Sequence, residues 1–149
     1  GPMHRDAPFI RIADLMATEL ITIHATDSLY DARTLMTREH IRHLPVVNGD
    51  GEFVGLLSQR DVLASTVSVL AEMDGDDLIS LESRTTVGEV MTTEIQAIAA
   101  DSDLREAGRY MLEHKIGCLP VVADGALAGI LTEADFLRLM LGLLDGLED

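Results

Sequence analysis

Apolar and polar positions along this chain alternate in a series that is written out twice. Leu20–Ile23 is a short β-branched run that predicts a strand. Thr26-Asp27-Ser28 then supplies N-cap chemistry for a helix whose apolar face is Leu29, Ala32, Leu35 and Met36. A strand follows at Leu44-Pro45-Val46-Val47, where Pro45 at the strand start needs no N–H partner. The chain turns through Asn48-Gly49-Asp50-Gly51 and returns as Phe53–Leu57. A second helix is predicted from Gln59 to Met73, with Val62, Leu63, Val67, Leu70 and Met73 on one side and acidic Asp74-Gly75-Asp76-Asp77 at its end.

The series recurs at an offset of 75 residues, falling to 74 after the shorter turn Ala123-Asp124-Gly125. Met16 matches Met91, Leu29 matches Leu104, Ala32 matches Ala107, and Leu44-Pro45-Val46-Val47 recurs as Leu119-Pro120-Val121-Val122. Gly55-Leu56-Leu57-Ser58-Gln59-Arg60-Asp61 recurs as Gly129-Ile130-Leu131-Thr132-Glu133-Ala134-Asp135. The second copy's first helix carries Leu104, Ala107, Met111 and Leu112 on its apolar face. The boundaries read as repeat one over 12–65, an acidic connector over 66–86, repeat two over 87–139, and a helix end and tail over 140–149, after an N-terminal segment in which Gly1-Pro2 is taken for a tag scar. A unit of this size buries too little surface to stand well alone, so the halves are expected to share a core about a pseudo-twofold axis. The final helix, with Phe136, Leu137, Leu139, Met140, Leu141, Leu143 and Leu144, is apolar on more faces than a core needs, and the surplus face is read as a self-association surface.

Charge narrows the function. The chain has 26 acids against 11 Lys and Arg, a net charge of −15, and acids outnumber bases in both repeats and the connector. Such a field repels phosphate backbones and argues against nucleic acid as a partner. The five aromatics, Phe9, Tyr30, Phe53, Tyr110 and Phe136, are too scattered for a base-stacking platform. No apolar run of spanning length and no signal peptide is visible, and a single cysteine, Cys118, allows no internal disulfide; the expectation is a cytoplasmic protein without a membrane partner.

The sharpest chemical signal is Ser58 with Asp61 and Thr132 with Asp135, each pair at a predicted strand-to-helix junction. Taken once, such a pair is an N-terminal capping box. Its recurrence after equivalent strands points further. A helix N-terminus and a hydroxyl suit phosphate, and an aspartate can accept two hydrogen bonds from a ribose diol. The other candidates stay structural. His40 and His43 straddle a helix end and do not converge on a metal, Cys118 reads as a small core residue, the repeat-matched methionines are core, and the connector is read as a solvated loop. An enzyme would need an activated nucleophile, an acid/base pair or a metal cluster, and none is found.

On Ile12-x-Asp14-Leu15-Met16 and Val87-x-Glu89-Val90-Met91, both Leu-Pro-Val-Val strands and both Gly-x-x-Ser/Thr-x-x-Asp elements, the chain resembles a tandem pair of cystathionine-β-synthase (CBS) domains, a Bateman module. The resemblance implies an α+β fold of two β-α-β-β-α repeats, with clefts between them that hold AMP, ADP, ATP or S-adenosylmethionine. It implies a homodimer and a non-catalytic regulatory role toward a separate effector protein, with no cofactor beyond the nucleotide and its accompanying Mg²⁺. Carried over by position, Ser58, Arg60, Asp61, Thr132 and Asp135 would take ribose and phosphate. Thr22, Ile23, His24, Arg42, His43, Leu44 and Pro45, with Ala97, Ile98, Ala99, Cys118, Leu119 and Pro120, would form the base site and cleft walls. The first copy carries His24, Arg42, His43 and Arg60 where the second has Ala99, Gly117, Cys118 and Ala134, so phosphates are expected mainly at repeat one. The alternative is a ligand-free dimerisation and interaction module.

Overall fold

A computed structural model of the chain describes residues 10–16, 18–70 and 75–147. The elements run β1 (Ile23–His24), α1 (Leu29–Glu39), β2 (His43–Val47), β3 (Phe53–Ser58), α2 (Gln59–Leu70), α3 (Gly75–Arg84), α4 (Val87–Val90), β4 (Ile98–Ala99), α5 (Leu104–His114), β5 (Cys118–Ala123), β6 (Ala126–Thr132) and α6 (Glu133–Gly146), after a 3₁₀ turn at Ile12–Asp14. Two three-stranded sheets result, ordered β1-β2-β3 and β4-β5-β6, so the α+β class and the duplicated strand pattern both hold.

Both repeats solve the same local problems in the same way. Ser28 caps α1 by accepting from Asp31 N–H at 3.1 Å, and Asp103 caps α5 by accepting from Arg105 N–H at 3.0 Å. The helices end on His40 and Lys115, whose φ of 55° and 56° are left-handed, and the next N–H bonds back across the turn: Ile41 to Met36 O and Ile116 to Met111 O, each at 3.0 Å. β2 pairs antiparallel to β3 with a register shift between Val46 and Val47, matched in the second sheet between Val121 and Val122. The longer first turn is closed by Asn48, whose Oδ1 accepts from Asp50 and Glu52 N–H; the shorter second turn uses positive φ at Asp124 and Gly125.

Three expectations are corrected. The strand expected at Leu20–Ile23 is the two-residue β1, shifted toward His24 because its parallel pairing to β2 covers only Ile23 with Val46 and His24 with Val47. The connector is no solvated loop: Gly75–Arg84 is helical, and Glu82, 4% exposed, accepts from Arg33 Nε and Nη2 on α1 at 2.9 Å each. Leu112 is 83% exposed and lies outside the core. Met73 and Asp74 lie outside the described residues.

The repeating unit of sequence and the packing unit also differ. Contacts divide the chain into one unit of Ile21–Ile95 and another of the residues up to Leu20 together with those from Gln96 onward. Val87, fully buried, packs with Leu29, Ala32, Leu44 and Leu57, while Val87 N–H bonds Asp27 O at 2.8 Å and Gly88 N–H bonds Ala25 O at 2.9 Å. Ile12, also fully buried, packs with Leu104, Leu119 and Leu131, and its N–H bonds Ser102 O at 3.1 Å. Each leading segment thus completes the core of the other repeat; burying such a side chain contributes about 1.5–3 kcal/mol.

Candidate functional site

Both Gly-x-x-Ser/Thr-x-x-Asp elements stand at the junction of a last strand and its helix, β3 with α2 and β6 with α6. Both form capping boxes. Ser58 N–H donates to Asp61 Oδ2 at 2.9 Å, and Asp61 N–H donates to Ser58 Oγ at 3.0 Å. Thr132 N–H donates to Asp135 Oδ2 at 2.8 Å. A box of this kind fixes the carboxylate with one oxygen held by backbone and the other directed away from it. Here the copies part. Asp61 Oδ1 has no hydrogen bond among the described residues, whereas Asp135 Oδ1 accepts from Arg138 Nη2 at 2.7 Å.

The first element gathers cations. Gln59 N–H bonds Arg42 O at 2.8 Å, and His43 is paired with Ser58 across the sheet, so Arg42, His43, Ser58, Arg60 and Asp61 meet at the head of α2. Arg42 and Arg60 are exposed and make no ion pair among the described residues. At the second element Glu133 N–H bonds Gly117 O at 3.2 Å, and the Glu133 carboxyl carbon lies 3.5 Å from where a Gly117 Cβ would stand. An acid therefore covers the position that Arg42 fills in the first copy, and Ala134 replaces Arg60. Cys118, opposite Thr132, is 5% exposed, and its thiol is pushed up to about 12, by burial first and the Asp135 charge second. It is a neutral core thiol.

The remaining expected residues divide. Leu44 and Leu119 belong to the two core clusters and are 0% and 1% exposed, Leu44 in one cluster with Val46 and Leu57. Pro45 and Pro120 are fully buried, and Ile23 is core at 4% exposure. Thr22 and Ile23 line a shallow groove of about 280 Å³ with Asp27, Asp31, Thr34, Leu35 and Arg38. Ala97, Ile98 and Leu119 line the matching groove of about 190 Å³ with Gln96, Glu106 and Tyr110. His24 and Ala99 are exposed at the far ends of their strands. His24 pairs with Val47, four residues along β2 from His43, or about 13 Å at strand rise, so it is not part of the cationic cluster. Sequence reasoning missed Arg138; the signal was its spacing of three residues beyond Asp135, against Ala64 in the first repeat.

The model of the CBS domain matches residues 12–68 and 87–142. CBS domain-containing protein YhcV of Bacillus subtilis is 30% identical over 124 residues, covering 83% of this chain and 81% of that protein. An uncharacterized protein of Thermofilum pendens is 31% identical over 130 residues, and the chain spans 43% of its length. Among solved structures, a Vibrio cholerae protein named for acetoin utilization (AcuB) is 38% identical with a TM-score of 0.80, covering 95% of this chain and 97% of that one. CBSX2 in complex with AMP is 32% identical with a TM-score of 0.74, over 89% and 97% of the two chains. The CBS domain pair of protein MJ0100, in complex with 5′-methylthioadenosine and S-adenosylmethionine, is 26% identical with a TM-score of 0.73, over 91% and 98%. Matched through both repeats, the chain belongs to the CBS domain family.

Proposed function

We propose that this chain is a non-catalytic regulatory module whose first repeat binds an adenosine nucleotide, AMP, ADP or ATP, and whose occupancy signals to a separate protein. The observation that carries this reading is the set of residues brought to the head of α2: exposed Arg42 and Arg60, without ion-pair partners among the described residues, at backbone positions adjoining Ser58 and Asp61, in a chain of net charge −15. Exposed cations in so acidic a protein suit an anionic ligand. Arg42, Arg60 and the Ser58 hydroxyl would take the phosphates, Asp61 Oδ1 a ribose hydroxyl, and the backbone at Thr22 and Ile23 the base. ATP would bring its own Mg²⁺ on its phosphates. The relatives solved with AMP, and with 5′-methylthioadenosine and S-adenosylmethionine, support an adenosine-containing ligand.

The second element lacks this character. Glu133 over Gly117 and the absence of arginine at 117 and 134 disfavour phosphate there, so the nucleotide is assigned to the first element. Exposed Leu137, Met140, Leu141 and Leu144 on α6, and Leu63 and Val67 on α2, provide apolar surface for a homodimer. Ligand binding would shift the population of conformers that a partner reads, and the likeness to the Vibrio cholerae protein makes acetoin use the first place to seek that partner.

A thermal-shift panel of AMP, ADP, ATP, S-adenosylmethionine and NADH tests the reading, since a ligand of the folded state raises the melting temperature. An adenosine nucleotide is expected to raise it. Silence across the panel at millimolar ligand contradicts the reading and leaves a ligand-free interaction module.

A further inference from the structure

The two copies of the Ser/Thr-x-x-Asp element differ three residues past the aspartate, and the difference reaches the carboxylate. Both oxygens of Asp135 are engaged: Oδ2 by Thr132 N–H at 2.8 Å and Oδ1 by Arg138 Nη2 at 2.7 Å. Its side chain is 7% exposed, so no second face is offered to a ligand. Asp61 has Oδ2 held by Ser58 N–H at 2.9 Å, and its Oδ1 has no hydrogen bond among the described residues, where the residue matching Arg138 is Ala64, which carries no side-chain donor.

A ribose hydroxyl is a donor and is best met by a carboxylate oxygen that no other donor already holds. An incoming sugar at Asp135 would have to replace a hydrogen bond in which both partners are charged with one from an uncharged hydroxyl. The Arg138 side chain is 70% exposed, so solvent can take it up once it is released.

We propose that Arg138 is a positioning residue that closes the second element to a ribose diol by holding Asp135 Oδ1, so that one adenosine ligand binds per chain, at Asp61. This rests on the reading of the elements as adenosine sites. Under it, the duplicated motif gives one working site and one latched site, and residue 138 sets the stoichiometry.

Calorimetry on the full chain tests it. Wild type saturated with AMP is expected to take up no added adenosine, the phosphate-free probe. AMP-saturated Arg138→Ala is expected to take up one adenosine per chain, and Arg138→Ala with Asp135→Asn to lose it again. Arg138→Lys, which keeps a cation beside Asp135, is expected to behave as wild type. The reciprocal change, Ala64→Arg, places the latch beside Asp61 and is expected to weaken AMP binding roughly tenfold, the size of one charged hydrogen bond. An AMP-saturated Arg138→Ala protein that takes up no adenosine, or an Ala64→Arg protein with wild-type AMP affinity, overturns the latch. Loss of AMP binding in Asp61→Asn keeps the reading of the site intact in either case. A wild type that binds no AMP removes that reading and the latch with it.

Discussion

Cys118 stands where the first repeat has His43, and burial decides what it can do. Its thiol is pushed up to about 12 from an ordinary 9.0, so it stays neutral in the folded chain while an unfolded thiol ionises. Below pH 9 it is protonated in both states and adds no slope. Between pH 9 and 12 the unfolded state binds fewer protons, so stability falls by up to about 1.4 kcal/mol per pH unit from this group. Urea unfolding across that range should show wild type losing stability faster than Cys118→Ala; parallel profiles would refute the shift. Gly55 is set by space instead. A Cβ there would sit 2.5 Å from Met91 Sδ and 3.1 Å from Thr92 O, a carbonyl locked by paired hydrogen bonds to Leu56. Gly55→Ala should cost about 1–3 kcal/mol in chemical denaturation. At this scale the sequence made Ser58, Asp61, Thr132 and Asp135 legible because their spacing is local. It did not show Arg138 as a partner of Asp135 or Glu133 over Gly117, because those depend on side-chain direction at a helix start.

Among the elements, α1 and α5 end on left-handed residues that are not glycine. His40 and Lys115 each carry a Cβ penalty that glycine avoids, of about 1 kcal/mol. His40→Gly and Lys115→Gly should therefore raise the melting temperature, and a fall would show that the side chains stabilise those turns. The α1–α3 clamp works in the opposite sense. Arg33→Ala leaves the Glu82 carboxylate buried without its bidentate partner and should cost about 1–3 kcal/mol, less than a fully buried pair because Arg33 is half exposed. Strands β2, β3, β5 and β6 and helices α1 and α5 were readable from alternation and caps. Helix α3 was not, because its acidic start reads as a loop while Glu82, the residue that anchors it, looks like a surface acid until Arg33 is brought beside it.

For the molecule as a whole, the duplication gave the architecture, and the exchange of leading segments escaped it. Ile12 and Val87 read as the start of their own repeats, yet each is buried in the core of the other, and no local pattern distinguishes the two packings. The departures from repeat symmetry carry the functional claim. Arg42 and Arg60 give the first copy a cationic edge in an acidic chain, and the second copy replaces it with glycine, alanine and a glutamate. Calorimetric titration of AMP into wild type and Arg60→Ala tests that claim most directly, because Arg60 is exposed and makes no ion pair among the described residues, so its loss should not disturb folding. Saturable binding by wild type, weakened roughly tenfold or more in the variant, is the predicted result. Equal affinity in the two proteins, or no saturable heat in wild type at millimolar AMP, would contradict it.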